Sequence, residues 1–188
     1  MVGLLDSTSA VGQLNWNPSS NIAPPGVNAT TSNLQGILSL RLWPQFVPNA
    51  VRLLGISVET TVASDAGGIV RLGVWATNAL GFGTTLLSPA TGTTVPVDGA
   101  TGFQEATMNI VLNPGLYWFG AQLEVATVQP TVRSMSSSGL ATSAATQATA
   151  NAGYVLTAQP GGSFSNLSGL QQTVTSNVYR LNFRTGVL

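Results

Sequence analysis

A short turn between two apolar runs is the feature that most constrains this chain. Residues 103–126 read FQEATMNIVLNPGLYWFGAQLEVA, and Asn113-Pro114-Gly115 separates two stretches rich in β-branched and aromatic residues. Proline fixes φ at about −65° at the first central turn position, and glycine supplies the positive φ that a type II turn needs next. The pattern therefore predicts a central antiparallel hairpin. Its return strand, Leu116 to Phe119, is apolar on both faces, so we expect a second sheet to cover one face and a loop or neighbouring subunit the other.

Two further segments alternate with the period of a β-strand. From Val51 to Val62, the pattern predicts Leu54, Ile56, Val58 and Val62 on one buried face, with polar residues on the other. From Ile69 to Thr77, alternate aliphatic residues are expected to point inward, while Arg71 and Trp75 point outward.

The remaining segments are shorter or less regular. A strand is predicted from Ile37 to Trp43, ending at Pro44, another from Tyr154 to Ala158, and a last one from Val174 to Arg184 with Tyr179, Leu181 and Phe183 on one face. Residues 78–102 and 159–168 are rich in turn formers. Residues 134–152 are low in complexity and are interpreted as a loop, because serine and threonine weaken the helix that alanine would favour.

These elements predict an all-β fold, an antiparallel β-sandwich with jelly-roll-like connectivity, over residues 36–188. Residues 1–35 show little periodicity and are predicted to form an extended N-terminal arm, a disordered tail being the alternative. The arm carries the isolated apolar residues Leu14 and Trp16, which a disordered segment usually lacks.

Composition excludes several classes of function. Charged residues make up 6% of the 188 residues and sum to zero, and lysine, histidine and cysteine are all absent. Without a basic patch we expect no nucleic-acid binding, and without Cys or His we expect no disulfide, no zinc or other metal site and no cofactor. No apolar run approaches the length of a membrane span, so no membrane insertion is expected, and the start lacks the basic region of a signal peptide. A nearly uncharged chain should associate readily.

Carboxylates are the only groups that could support acid–base catalysis. Glu105 and Glu124 lie on the two arms of the predicted hairpin and would face each other, although solvated positions at sheet edges are the more common outcome. Asp65 and Asp98 lie in glycine-containing turns without a second carboxylate nearby, so they are interpreted as turn formers and not as calcium ligands. We therefore expect no catalytic residues and no enzymatic activity.

Aromatic residues offer a different kind of site. Trp75, Tyr117 and Trp118 could form a platform for a sugar ring, although such residues more often belong to a core or an interface. Trp75 is the preferred glycan platform because its strand parity points it away from the core, beside a glycine-rich loop.

Three segments resemble a known family when they are taken together. WPQFVPNA (43–50), GISVETTVASDAGGIVRLGVWATN (55–78) and TGFQEATMNIVLNPGLYWFGAQ (101–122) resemble a β-sandwich domain that recurs in tailed-bacteriophage virion proteins. In that family a Val-Arg-Leu-Gly-aliphatic-aromatic strand is followed, some forty residues later, by a Pro-Gly-Leu-Tyr-Trp turn and strand. The chain departs from the family at 81–85, where GFGTT replaces a Gly-x-Pro-Gly turn.

The resemblance implies a minor tail, tail-appendage or capsid-decoration protein, located in the virion after assembly in the host cytoplasm. Its partners would be other virion proteins and further copies of the chain, with a trimer expected by family analogy. We expect Leu14, Trp16 and Trp43 to make the assembly contacts. The alternative function is a carbohydrate-binding or receptor-binding module that contacts a host cell-surface glycan through Trp75.

Overall fold

The computed structural model describes residues 21–22, 29–33, 37–78, 83–87, 92–135, 153–156, 161–167, 173–175 and 178–188. All regular structure in these ranges is β-strand, and the strands form two antiparallel sheets packed face to face. The predicted all-β sandwich is thus confirmed, while the jelly-roll-like connectivity stays a prediction. None of the described residues forms a helix that could span a membrane.

Each sheet contains seven strands within the described ranges. The first sheet contains β1 (Asn21–Ile22), β2 (Ala29–Asn33), β4 (Val51–Val62), β8 (Gly102–Leu112), β10 (Thr131–Met135), β13 (Val178–Tyr179) and β14 (Leu181–Gly186). The second sheet contains β3 (Leu40–Val47), β5 (Ile69–Thr77), β6 (Gly83–Leu86), β7 (Thr93–Pro96), β9 (Gly115–Val125), β11 (Gly153–Leu156) and β12 (Thr173–Thr175).

The core fills the space between the sheets, as alternation within the strands requires. From the second sheet, β5 contributes Val70, Leu72 and Val74, and β9 contributes Phe119, Ala121 and Leu123. From the first sheet come alternate residues of β4, β8 and β14. Trp43, Phe119 and Phe183 form an aromatic centre with ring centroids 4.6–6.1 Å apart.

The predicted hairpin is wrong, although both of its strands exist. β8 pairs with β4 in the first sheet, whereas β9 lies between β3 and β5 in the second. The tight connection at Asn113 and Pro114 therefore carries the chain from one sheet to the other. Positive φ occurs at four described glycines, which do not include Gly115, so the expected type II geometry is also absent here.

A β-bulge changes which face of β4 is buried. The pairing of β4 with both β8 and β14 shifts register between Leu53 and Gly55. Buried residues are consequently Val51 and Leu53 before the shift, and Ile56 and Val58 after it. The expectation for Ile56 and Val58 is confirmed, but Leu54 faces outward because a bulge reverses the alternation. The expected burial of Val62 is also wrong, since this last residue of β4 is 57% exposed.

Other predicted strands also differ from the structure. The predicted single strand from Val174 to Arg184 is wrong, because β12 lies in the second sheet while β13 and β14 lie in the first. β4 and β5 have the predicted bounds, while β3 continues through Pro44 to Val47. Proline is tolerated there because β11 pairs only with Leu40 to Leu42, so Pro44 has a described strand partner on one side only.

The predicted arm contributes two described strands to the sandwich. β1 pairs with β14 and β2 pairs with β10, so these parts of the arm lie on the first sheet of their own chain. The division at residue 35 stays a prediction. Leu14, Trp16 and residues 136–152 lie outside the described residues.

Candidate interaction surface

Trp75 lies on the outer face of the second sheet, as its parity predicts, but it is fully buried. Residues 161–167, here called the covering segment, lie over it: Phe164 contacts the indole at a centroid distance of 5.1 Å, and Trp75 Nε1 donates a hydrogen bond of 3.0 Å to the Ser165 carbonyl. Trp118, Leu40 and Leu42 complete this second apolar cluster with Leu167 of the covering segment. The expectation of an exposed glycan platform at Trp75 is therefore wrong.

Two glycines make room for the Trp75 ring. Gly73 on β5 and Gly120 on β9 are directly opposite in the strand register. A methyl group at either position would lie 2.8 Å from the Trp75 indole, closer than any side chain tolerates. The indole thus packs against the backbone of these two glycines, and close approach of this kind is a known role for glycine within strands.

A buried ion pair fixes the covering segment. Arg71 and Glu124 form a two-pronged contact, with Nε–Oε1 at 2.6 Å and Nη2–Oε2 at 2.9 Å, and both side chains are about nine-tenths buried. Glu124 Oε1 also accepts the Gly162 backbone N–H at 2.9 Å. On the other side of the segment, the Leu86 N–H donates to Asn166 Oδ1. Since each group has a structural partner, this face is closed by the chain itself.

The two carboxylates singled out by the sequence are not neighbours. Glu124 lies on the outer face of the second sheet, and Glu105 lies on the outer face of the first, where it contacts Arg184. Because the hairpin is not formed, the opposed pair that acid–base chemistry would need is not formed either.

Trp43 also departs from its expected role. It is buried between the sheets and stacks on Phe183 with ring centroids 5.6 Å apart. The ring is enclosed by its own chain, which corrects the expectation that it makes an assembly contact. Leu14 and Trp16, the other two expected contacts, cannot be placed because they lie outside the described residues.

The outer face of the first sheet is open among the described residues and is crossed by ion pairs. Glu105 and Arg184 bond across Gly55 of β4, whose missing side chain leaves space for the Glu105 carboxylate. The hydrogen bond to Glu105 raises the pKa of Arg184. Glu59 and Arg133 form a longer contact of 3.3 Å further along β4. The first pair joins the two strands on either side of β4 and the second joins β4 to β10, but pairs this accessible to solvent contribute little energy each.

Large exposed apolar side chains lie at both ends of the sandwich in the described part of the chain, with Phe46, Val111, Val187 and Leu188 at one end and a second set of four at the other. β4, β8, β9 and β10 all start or finish at this second end, and Val62, Phe103, Val125 and Val128 are between 53% and 63% exposed. We call these four residues the apolar end. Single exposed apolar residues are ordinary, and only a contiguous patch of them favours an interaction surface.

Asp65 fixes the turn that carries Val128 of the apolar end. Its carboxylate accepts the backbone N–H groups of Thr127 and Val128 at 3.0–3.2 Å. The hydrogen bond from Val128 is the main reason that the pKa of Asp65 lies below its ordinary value. Asp98 similarly accepts the Gly67 N–H at 2.6 Å. The carboxylates interpreted as turn formers thus do hold turns, and the described residues contain no group of acidic side chains that could hold a metal ion.

Comparison with known proteins adds no relative: no family model, no curated protein and no solved structure matches the chain. Sequence reasoning missed the covering segment and the apolar end. The sequence signal for the covering segment was a glycine in the middle of each of two apolar strands, Gly73 and Gly120. The signal for the apolar end was a valine or phenylalanine close to the end of several strands.

Proposed function

We propose that the chain is a structural protein of a tailed-bacteriophage virion, as a minor tail, tail-appendage or capsid-decoration component, and that it assembles with copies of itself and with other virion proteins. The proposal starts from the resemblance of residues 43–50, 55–78 and 101–122 to sandwich domains of such proteins. A virion location and a trimeric assembly are part of the same proposal.

The observation that carries it is the apolar end. Four large apolar side chains are more than half exposed at this end, and one of them, Val128, lies on a turn that the Asp65 carboxylate fixes. The chain has only six acidic and six basic residues. Such a surface has little charge to repel another copy, and covering it with a partner lowers the free energy because apolar area is removed from water. Protein–protein interfaces have this composition at their centres, where charged residues are depleted.

The alternative function, a glycan-binding module, depended on an exposed ring at Trp75, and that ring is buried. All three described tryptophans, Trp43, Trp75 and Trp118, are buried. A sugar would need another exposed ring, and no specific observation now favours this alternative.

Washed virus particles test the proposal. An antibody raised against the purified chain should label particles at a fixed position under electron microscopy, and mass spectrometry of the particles should detect the chain at a constant copy number. Absence of the chain from washed particles would refute the virion assignment. A second experiment replaces Val128 with Asp, which should reduce incorporation, while Asn113→Asp, an exposed position at the opposite end of the sandwich, should not.

A further inference from the structure

Two arginines lie side by side on the outer face of the first sheet. Arg133 belongs to β10, and Arg180 lies between β13 and β14. They are directly opposite each other in the register of β10 and β13, and the Arg180 N–H donates to the Arg133 carbonyl at 2.9 Å. Both side chains point outward, because the neighbouring residues Val132, Tyr179 and Leu181 belong to the inter-sheet core. We call Arg133 and Arg180 the arginine pair.

The arginine pair carries more positive charge than its surroundings balance. Among the described residues, Glu59 is the one carboxylate in contact with it, through a single hydrogen bond of 3.3 Å from Arg133 Nε. The Arg180 side chain has no hydrogen bond or ion pair with any described residue, and its Nε is shielded from water. Like charges directly opposite on neighbouring strands destabilise a sheet. The arrangement therefore favours a further anionic group beside the pair.

The shape of the guanidinium group indicates which anion fits. Guanidinium groups present planar forks of N–H donors, which match the two oxygens of a carboxylate. The surface is accessible to such a group, because the Arg133 side chain is 37% exposed. Asn182, two residues beyond Arg180 on the same face, has a buried Nδ2 without a hydrogen-bond partner in the described part of the chain, so this part of the face has donors in excess of acceptors.

A carboxylate on a different protein fits this surface better than the other sources of anions. Nucleic acid binds through a row of phosphates and needs several cations in a patch, whereas the arginine pair offers two. A sugar usually stacks on an aromatic ring, and the three described tryptophans are all buried. Another copy of the chain is also a poor match, because the five described acidic side chains are bonded within their own molecule.

We propose that the arginine pair is a docking site for an acidic side chain of a different protein. This inference rests on the proposed function, which supplies other virion proteins as partners, and it names the chemistry that such a partner presents. Arg180 provides the uncompensated charge, while Arg133 divides its donors between Glu59 and the incoming carboxylate. Glu59 is then a competitor of the partner, so its removal should strengthen binding.

Titration with an acetylated and amidated triglutamate peptide tests the site in solution. The peptide should shift the side-chain Nε–Hε NMR signals of the arginine pair and saturate with a Kd on the order of millimolar, because exposed ion pairs are weak. Arg180→Gln should raise this Kd about tenfold or more, since it removes the uncompensated charge. Glu59→Gln should lower it severalfold. Both variants should keep the circular dichroism of the wild type, because neither residue belongs to the core.

Arg52→Gln is the matched control for these changes. Arg52 is an exposed arginine near the opposite end of β4, and its side chain has one long hydrogen bond, of 3.5 Å, to Asn109. Its replacement should leave the Kd for triglutamate within about twofold of the wild-type value, since charges this far apart on a surface are screened by salt. Arginine signals that do not shift with the peptide, or a Kd that Arg52→Gln and Arg180→Gln raise equally, would overturn the inference.

Two further probes of equal charge check the class of partner. Trigalacturonate and a single-stranded DNA tetranucleotide should bind no more tightly than triglutamate does. Either of them binding at least about tenfold more tightly would replace the protein partner by a glycan or a nucleic acid and so overturn the assignment.

Incorporation into virus particles separates this inference from the proposed function. Arg180→Glu should reduce incorporation, because it sets a carboxylate against that of the partner, whereas Arg180→Lys keeps the charge and should retain most of it. If Arg180→Glu is incorporated like the wild type, the inference is overturned while the virion role stands. If the wild type itself is absent from washed particles, the proposed function is refuted, and the titration decides independently whether the arginine pair binds acidic side chains.

Discussion

The opposed glycines under Trp75 give the sharpest test of how this fold is held together. Gly120→Ala adds a methyl group 2.8 Å from the indole and 2.9 Å from the side chains of Leu40 and Leu42, where ordinary contacts begin at 3.4 Å. All three neighbours are buried and cannot move outward freely. Gly73→Ala meets the same indole at 2.8 Å and the Phe164 ring at 2.7 Å, but Phe164 belongs to the covering segment and not to a strand, so we expect it to shift at a lower cost.

Overpacking of a filled core costs about 1–3 kcal/mol. We expect Gly120→Ala to lie near the upper value and Gly73→Ala near the lower one. For a chain of this size, each kcal/mol lowers Tm by roughly 2–4 °C, so Gly120→Ala should lower it by roughly 6–12 °C. Gly99→Ala is the matched control, because a methyl group there meets nothing within 4 Å. It should change the free energy of unfolding by less than about 0.5 kcal/mol.

Thermal melting and urea denaturation of the three variants measure these values. A double-mutant cycle with Trp75→Leu then assigns the cause, since removing the indole should relieve most of the clash at Gly120 and make the two changes less than additive. If Gly120→Ala is as stable as Gly99→Ala, or if the cycle is additive, the close approach of the indole to the backbone is not what requires glycine.

Further predictions concern the core, the ion pairs and a buried hydroxyl. Phe119→Ala should cost about 3–5 kcal/mol because the ring is fully buried, whereas Phe103→Ala should cost less than about 1 kcal/mol in chemical denaturation. Glu124→Gln leaves a buried guanidinium uncompensated and should cost about 3 kcal/mol, while Glu105→Gln in an exposed pair should cost less than about 1 kcal/mol. Burial raises the pKa of the Tyr179 hydroxyl, so the folded state holds this proton at pH values at which the unfolded state releases it. The wild type should therefore lose stability as the pH rises above about 10. Tyr179→Phe should weaken that loss and be neutral or stabilising at pH 7, because the buried hydroxyl has no hydrogen-bond partner among the described residues; an unchanged alkaline profile would contradict it.

Regular alternation explains why some strands are predictable. β4 and β5 have the predicted bounds because their period of two extends over at least nine residues between clear turn signals. The bulge beside Gly55 could not be foreseen in the same way, because it depends on the pairing of β4 with two neighbours. Its effect was to exchange Leu54 for Leu53 in the core.

The failed hairpin has a physical cause that the sequence does contain. A turn of Asn-Pro-Gly reverses the chain but does not decide which strands pair, because pairing depends on what each face must meet. β8 alternates between polar and apolar residues, as expected for a sheet open on one face, whereas β9 is apolar on both faces. Two strands of one sheet should show the same pattern, so this difference was the signal that the connection passes between sheets.

The candidate site was harder to predict because its parts are far apart in sequence. Parity correctly placed Trp75 outside the inter-sheet core, but its burial depends on Phe164, which lies in a Gly- and Ser-rich segment without periodicity. No local sequence pattern predicts that such a segment will cover a tryptophan that lies 90 residues earlier in the chain. An outward aromatic residue next to an opposed glycine pair is better interpreted as a covered ring than as an exposed platform.

The distribution of the few charges connects the fold with the proposed assembly. Each described ion pair joins two strands: Arg71 with Glu124 across the second sheet, and Glu105 with Arg184 and Glu59 with Arg133 across the first. Asp65 and Asp98 hold turns. All five acidic residues in the described part of the chain are thus bonded within the molecule. The acidic charge there stabilises the fold, so the apolar end has no acidic group of its own free to repel another copy. Under the proposed assembly role, the hydrogen bonds that fix Val128 also remove free charge from the surface that a partner would meet.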